Sequence, residues 1–154
     1  MPLKKLEVSI EVNRPIADVI AFVDNNNNDP MWQTSVLQSE KVSEGNVTVG
    51  TIYHVKEKFL GRVIEQNWEV TERNKDGSFW KASSITGPFP MKTSMRFEAN
   101  GDNSTIIYRT LSIDVGRFFK VASPVVGHIA KRELETDFAN LKELLETETA
   151  ALPE

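Results

Sequence analysis

The sequence has no cysteine among its 154 residues. This absence excludes disulfides, thiolate zinc sites, iron–sulfur clusters and cysteine nucleophiles, and it makes a reducing cytoplasm the expected location. The sequence also has no long hydrophobic run: none approaches the ~18 apolar residues of a membrane-spanning helix. We therefore expect no transmembrane segment.

The sequence also lacks a strong excess of charge of either sign. The net charge is −4, and lysine and arginine are scattered along the chain, so the sequence offers no basic patch for nucleic acid. Glycine-rich phosphate loops and the G-x-S-x-G motif of many hydrolases are both missing. We expect no nucleic-acid partner, no cofactor and no bound metal.

Alternation and helical spacing mark the first elements. Residues 6–12, LEVSIEV, alternate apolar and polar side chains, which predicts a half-buried strand. The segment NRPIADVIAFVD follows, with Pro15 suited to a first helical turn and apolar residues at helical spacing. It predicts a helix, and DPMWQ predicts a second short helix or turn.

The stretch DNNNNDPMW, residues 24–32, runs from the end of the first helix into the second and has three interpretations: a metal loop, a low-complexity fragment, or a joint between two pieces of structure. A calcium loop of the EF-hand type beginning at Asp24 needs glycine at its sixth position and glutamate at its twelfth. The sequence has Asp29 and Ser35 there. Asparagine caps helices and tolerates left-handed backbone, so a joint between two helices is the favoured interpretation.

The rest of the chain divides into a β-rich part and a helical part. Short connections between the β-rich runs predict antiparallel hairpins. The runs cover residues 36–43, 51–59, 62–73, 78–86, 91–98 and 104–114, and residues 118–148 are helical. The sequence predicts one α+β domain over residues 1–154, with about seven antiparallel strands, two short helices after the first strand and a long final helix over one face of the sheet.

Three stretches carry a resemblance to a known family. They are PIADVIAFVD with the nearby Trp32, GPFP followed by MKTSMRFE and Thr105, and a last helix with Pro124 near its start and DFANLKELLE at its end. Over about residues 5–148 the chain resembles the START-like (SRPBCC) superfamily, of the polyketide cyclase/dehydrase and lipid-transport type. The resemblance implies a helix-grip fold, in which a curved sheet wraps around the long helix and encloses a cavity for an apolar ligand. It does not fix a function.

The long helix predicts where a cavity would lie. At ~100° per residue, one line of the helix runs through Ser123, Gly127, Ala130, Leu134, Phe138, Leu141 and Leu145. The second half of this line is bulky and would fill the core. The first half is small, and small residues either let the helix approach the sheet closely or leave a pocket. Because the sheet is expected to curve, we favour the pocket.

Period-2 alternation selects the sheet residues that face this helix. It places Arg109 on the inner face of its strand beside Leu111, and a three-residue turn at 75–77 would align Trp80, Ala82 and Ser84 with Trp68. His54 is expected on the outer face, and His128 lies ~120° from the apolar line of its helix. The candidate ligand-binding residues are Tyr53, Gln66, Trp68, Trp80, Met95, Phe97, Arg109, Ser123, Gly127 and Ala130.

Three functions fit this pattern. The first is a cytoplasmic carrier or sensor of a small hydrophobic molecule or lipid. In it Arg109 anchors an acidic ligand, forms a structural ion pair, or lies near the cavity rim where its charged head reaches solvent. The second is a cyclase or dehydrase that uses Tyr53, Gln66 or Arg109 for proton transfer or oxyanion stabilisation. The missing acid/base pair argues against catalysis, so we expect no catalytic residue. The third is a protein-interaction module, and an exposed edge strand could support a homodimer.

Overall fold

The computed structural model describes residues 4–59, 61–114 and 123–151. These residues form seven strands and three α-helices, with one 3-10 turn at Asn26–Asn28. In chain order they are β1 (Lys4–Val12), α1 (Ile16–Asp24), α2 (Asp29–Trp32), β2 (Val36–Lys41), β3 (Ile52–Phe59), β4 (Arg62–Arg73), β5 (Phe79–Thr86), β6 (Met91–Ala99), β7 (Thr105–Ile113) and α3 (Ser123–Ala151). Each predicted strand is confirmed to within two residues at either end. The first five residues of the predicted long helix, 118–122, lie outside the described residues.

All seven strands form one curved antiparallel sheet in the order β1-β7-β6-β5-β4-β3-β2. Neighbours in the sheet are also neighbours in sequence, except that β1 pairs with β7 over nine residue pairs, from Lys4↔Ile113 to Val12↔Thr105. The predicted α+β helix-grip architecture is confirmed.

The turn between β4 and β5 sets the register of two tryptophans. Trp68 pairs with Ser84 and Val70 with Ala82, as the predicted alignment requires, and a register shift after Val70 brings Trp80 opposite Arg73. Gly77 has a φ of 78° in this turn, and any side chain there would strike the Arg73 guanidinium. Glycine is therefore favoured here, because other residues rarely adopt this φ and a side chain would also displace the Arg73 guanidinium.

The core lies between the inner face of the sheet and α3. Phe138, Leu141 and Leu145 are completely or almost completely buried with Met95 and Ile107, and burial of each such side chain stabilises the fold by about 1.5–3 kcal/mol. The predicted apolar line of α3 is confirmed for its described side chains: Gly127, Ala130, Leu134, Phe138, Leu141 and Leu145 are all buried. Val126 and Asp137 are buried as well, which the sequence analysis did not predict.

The asparagine run forms the joint between α1 and α2. Asn25 has an extended backbone that ends α1, and its side chain accepts a hydrogen bond from the Asn27 amide. Asn28 Nδ2 donates to the Phe22 carbonyl at 2.9 Å, and Asn26 Nδ2 donates to the Ser39 carbonyl of β2 at 3.0 Å. The joint is thus held to both the preceding helix and the sheet.

No helix in the described ranges has both the length and the apolar character needed to cross a bilayer.

Candidate functional site

A partly open cavity of about 170 Å³ lies between the inner face of the sheet, α2 and α3. A dry protein cavity of ~150 Å³ is enough to hold benzene. The described walls therefore leave room for a molecule of about one or two rings. The apolar part of the lining consists of Val23, Trp32, Val36, Val47, Tyr53, Val55, Phe59, Ile64, Trp68, Val70, Trp80, Ala82, Phe89, Met91, Met95, Leu111, Ile113, Ala130 and Leu134.

Six of the ten candidate residues come together at this cavity. They are Tyr53, Trp68, Trp80, Met95, Arg109 and Ala130. They come from five strands and α3, and the alternation of each strand directs them to the inner face.

The other four candidates are placed differently. Gln66, Phe97 and Gly127 are not among the described residues that line the cavity, and the side chain of Ser123 lies outside the described residues. Gln66 is 1% exposed, and its amide nitrogen donates to Glu57 Oε1 at 2.6 Å. It therefore helps to position Glu57, which lines the cavity. Phe97 packs into the core with Phe138.

Arg109 projects from β7 into the cavity. Its Nη1 donates to Gln33 Oε1 at 3.2 Å, its Nε donates to Thr93 Oγ1 at 3.3 Å, and its guanidinium carbon lies 5.7 Å from the Trp32 ring centre. Among the described residues no carboxylate lies within 4.0 Å of the guanidinium. The inward orientation predicted for Arg109 is confirmed, and within the described part of the chain the guanidinium forms no ion pair of the kind that one alternative required.

Carboxyl groups that the sequence analysis did not predict also line the cavity. Asp29 comes from α2, Glu57 from β3, and Glu133 and Asp137 from α3. Burial raises the pKa of Asp29 to about 7, against the opposing effects of Ser39 and Arg109. Burial, reinforced by Asp137 and Glu57, also raises the pKa of Glu133 to about 7. The pKa values of Glu57 and Asp137 are raised by the same main cause.

Two of these groups had signals in the sequence. Glu57 lies on the same face of β3 as Tyr53, Val55 and Phe59, so the periodicity that selected Tyr53 also directs Glu57 inward. Asp137 lies three residues after Leu134 and four before Leu141, on the buried side of α3. Neither is among the candidate residues, because Asp and Glu side chains usually face solvent.

An ion pair between Arg73 and Asp24 lines the side of the cavity near α1. Arg73 binds Asp24 through two parallel hydrogen bonds of 3.0 and 2.7 Å. This bidentate pair fixes the end of α1 to the end of β4. Burial, with Asp24 and Asp29 nearby, raises the pKa of the neighbouring Tyr53 to about 12, so the phenol stays protonated at neutral pH.

Both histidines lie outside the cavity. The ring nitrogens of His54 contact Asn67 Oδ1 at 2.7 Å and Glu65 Oε1 at 3.2 Å on the outer face, and His128 is exposed on α3. The outward position predicted for His54 is confirmed. Within the described ranges, no three histidine or acidic side chains lie close enough together to hold a metal ion.

A family model described as polyketide cyclase / dehydrase and lipid transport matches residues 4–146. Comparison with curated protein sequences finds no match. Among solved structures, the fold is similar to that of a START superfamily protein from Mycobacterium smegmatis, with a TM-score of 0.80 and 15% identity over 93% of this chain and 97% of that chain.

Two further structures extend the comparison. The Zhui aromatase/cyclase from Streptomyces sp. R1128 has a TM-score of 0.74 and 12% identity, covering 94% of each chain. Major latex-like protein 151 from Panax ginseng has a TM-score of 0.72 and 8% identity, covering 94% of this chain and 99% of that chain. At these identities the likeness concerns the fold.

Proposed function

The chain belongs to the polyketide cyclase / dehydrase and lipid transport family, and on that premise we propose that it binds a small, mostly apolar molecule in the cavity between its sheet and α3, as a carrier or sensor. The lining carries the proposal. Tyr53, Trp68, Trp80 and Met95 provide ring and thioether surface around a space of about 170 Å³. Ligand sites combine such surface with a few polar anchors, and here Arg109 is one.

Native mass spectrometry of gently purified protein tests this function. Extraction and identification of an apolar adduct would support the carrier. Protein that is empty, binds no apolar probe and captures one partner protein would favour the interaction module instead.

A cavity-filling variant locates the binding site. Ala130 is buried and lines the cavity from α3, so Ala130→Leu should occupy the ligand space and abolish binding of an apolar fluorescent dye without lowering the melting temperature. The control is Val125→Leu, at an exposed position of the same helix. If the space is needed for close packing rather than for a ligand, Ala130→Leu should destabilise the protein by about 1–3 kcal/mol. A stable variant with undiminished dye binding would contradict the site.

The acidic residues favour a second candidate function, a cyclase- or dehydrase-like enzyme. Asp29 and Glu133 have pKa values of about 7 and line the cavity. A carboxyl group with a pKa near the working pH can serve as a general acid or base. Arg109 could stabilise a developing oxyanion.

Proton abstraction from a small ketone distinguishes this enzyme from the carrier. The protein, mixed with 2-tetralone in D₂O, should accelerate deuterium exchange next to the carbonyl if a cavity carboxylate acts as a base. Asp29→Asn and Glu133→Gln should then slow the exchange, whereas the exposed Glu135→Gln should not. Exchange at the buffer rate would leave the carrier as the function.

The cytoplasmic location and the homodimer remain predictions. Subcellular fractionation and light scattering coupled to gel filtration test them.

A further inference from the structure

Two carboxyl groups one helical turn apart, Glu133 and Asp137, line the cavity from α3. Asp137 is 3% exposed, and its Oδ1 accepts hydrogen bonds from the Thr34 amide at 2.9 Å and the Thr34 hydroxyl at 3.0 Å. The hydrogen bonds among the described residues include none to its Oδ2 and none to Glu133. Oδ2 is not one of the fully buried oxygens that lack a partner, so both groups keep acceptor positions open to a donor.

The arginines of the cavity do not supply that donor. Arg73 is bound to Asp24 through both of its terminal nitrogens. Arg109 donates to Gln33 and Thr93 and lies beyond ion-pair distance of every described carboxylate. Arg109 and the α3 carboxyl groups therefore line the same cavity without pairing with one another.

The charge balance of this space favours a cation. With the Asp24–Arg73 pair set aside, one guanidinium on β7, Arg109, faces the carboxyl groups of Asp29 on α2, Glu57 on β3, and Glu133 and Asp137 on α3. An anionic ligand would add to an existing excess of acid. An ammonium group would be compensated by carboxyl groups that are already in place.

The aromatic residues of the lining suit the same kind of ligand. The cavity already holds one cation against a ring, since Arg109 lies over Trp32. Trp68, Trp80 and Tyr53 offer further ring surface. Aromatic faces attract cations, and they also pack well against a ring-containing ligand body.

Resting on the function proposed above, we propose that the ligand is an amine with a small ring-containing apolar body, whose ammonium group donates hydrogen bonds to Asp137 Oδ2 and Glu133. Arg109 then contacts an acceptor on the ligand or a water molecule beside it.

Three probes that share one body test the charge preference. Calorimetric titration at pH 8 compares 2-naphthylmethylamine, 2-naphthylmethanol and 2-naphthoate. We expect the amine to bind at least about tenfold more tightly than the alcohol, because hydrogen bonds to charged groups are stronger than neutral ones, and the naphthoate to bind most weakly. If the alcohol or the naphthoate binds as tightly as the amine, the inference fails and the general binding function stands. If none of the three binds, the proposed function fails with it.

Two variants test whether the preference for the amine comes from the carboxyl groups of α3. Asp137→Asn keeps an oxygen for both Thr34 bonds but removes the charge, and Glu133→Gln changes a half-buried group that has no hydrogen bond to the described residues. Each should weaken amine binding about tenfold or more and leave alcohol binding unchanged. Glu133→Gln keeps the test valid if the Asp137 variant does not fold. Glu135→Gln, on the exposed side of the helix, is the matched control. Full amine preference in both cavity variants would overturn the inference.

Proton release gives an independent measurement. Asp29 and Glu133, with pKa values of about 7, should ionise further when an ammonium group enters, so amine affinity should rise from pH 6 to pH 8. Titrations in two buffers of different ionisation enthalpy should show net proton release for the amine and none for the alcohol. Proton uptake with the amine would contradict the inference.

Discussion

At the scale of the residue, the cavity carboxyl groups link the site to the stability of the fold. The pKa of Asp29 rises from 3.8 to about 7 on folding. Below pH 3.8 the group is protonated in both states and costs nothing. Between those values the unfolded chain loses the proton while the folded protein keeps it, so stability falls as pH rises. Above about pH 7 the full cost remains.

The variant Asp29→Asn should remove this cost. We expect it to stabilise the protein by about 1–3 kcal/mol at pH 8 and to leave stability unchanged at pH 3.5, as measured by urea unfolding at both pH values. Asp102→Asn, in the exposed loop between β6 and β7, is the control. Equal stabilisation at the two pH values would contradict the assignment of the effect to the Asp29 carboxyl.

Arg109 should show the opposite dependence on pH. Its charge lowers the pKa values of Asp29, Glu57 and Asp137 in opposition to burial. Arg109→Met should therefore cost little at pH 5.5, where Asp29 with its pKa of about 7 is mostly protonated, and about 1–3 kcal/mol more at pH 8, where Asp29 ionises without the Arg109 charge nearby. Urea unfolding at the two pH values measures the difference, with Lys92→Met on the exposed side of β6 as the control. A pH-independent loss would mean that Arg109 acts through packing alone.

At the scale of the element, the joint between α1 and α2 depends on particular asparagines. Asn26→Ala loses the bond to the Ser39 carbonyl, and Asn28→Ala loses the bond to the Phe22 carbonyl. Each should destabilise the protein by about 0.5–1.5 kcal/mol. Asn27 is exposed, and its side chain makes no hydrogen bond to the described residues, so Asn27→Ala should change the free energy of unfolding much less. Equal effects at the three positions in thermal melts would mean that composition alone, and not these bonds, holds the joint.

At the scale of the whole molecule, the sequence was sufficient for the fold and insufficient for the polar half of the site. Alternation and turn residues predicted the strands and the inward direction of Trp68, Met95 and Arg109, because a side chain's face follows from its position in a strand. The same rule does not predict which of the inward residues line the cavity. Gln66 lies on the inner face as the rule predicts, but it is not among the described lining residues and instead donates a hydrogen bond to Glu57.

The sequence did not predict the carboxyl groups of the cavity, for a physical reason. Residues such as Asp137 and Glu57 are usually solvated, so a pattern read from one sequence assigns them outward. Their burial becomes visible only when α2, β3, β7 and α3 are brought together around Arg109. Composition also indicated no acid/base group, because an Asp or Glu acquires a pKa near 7 only from its surroundings.

The pairing of β1 with β7 governs how the chain can be made. During synthesis the first strand leaves the ribosome about a hundred residues before its partner, since Lys4 pairs with Ile113. Closing so long a loop is slow, and until it closes the apolar face of β1, with Leu6, Val8, Ile10 and Val12, has no native cover. β1 of the nascent chain must therefore stay without its partner until β7 has emerged. Arrest of translation before residue 105 should leave β1 available to chaperones, and emergence of β7 should be followed by the pairing of β1 with β7.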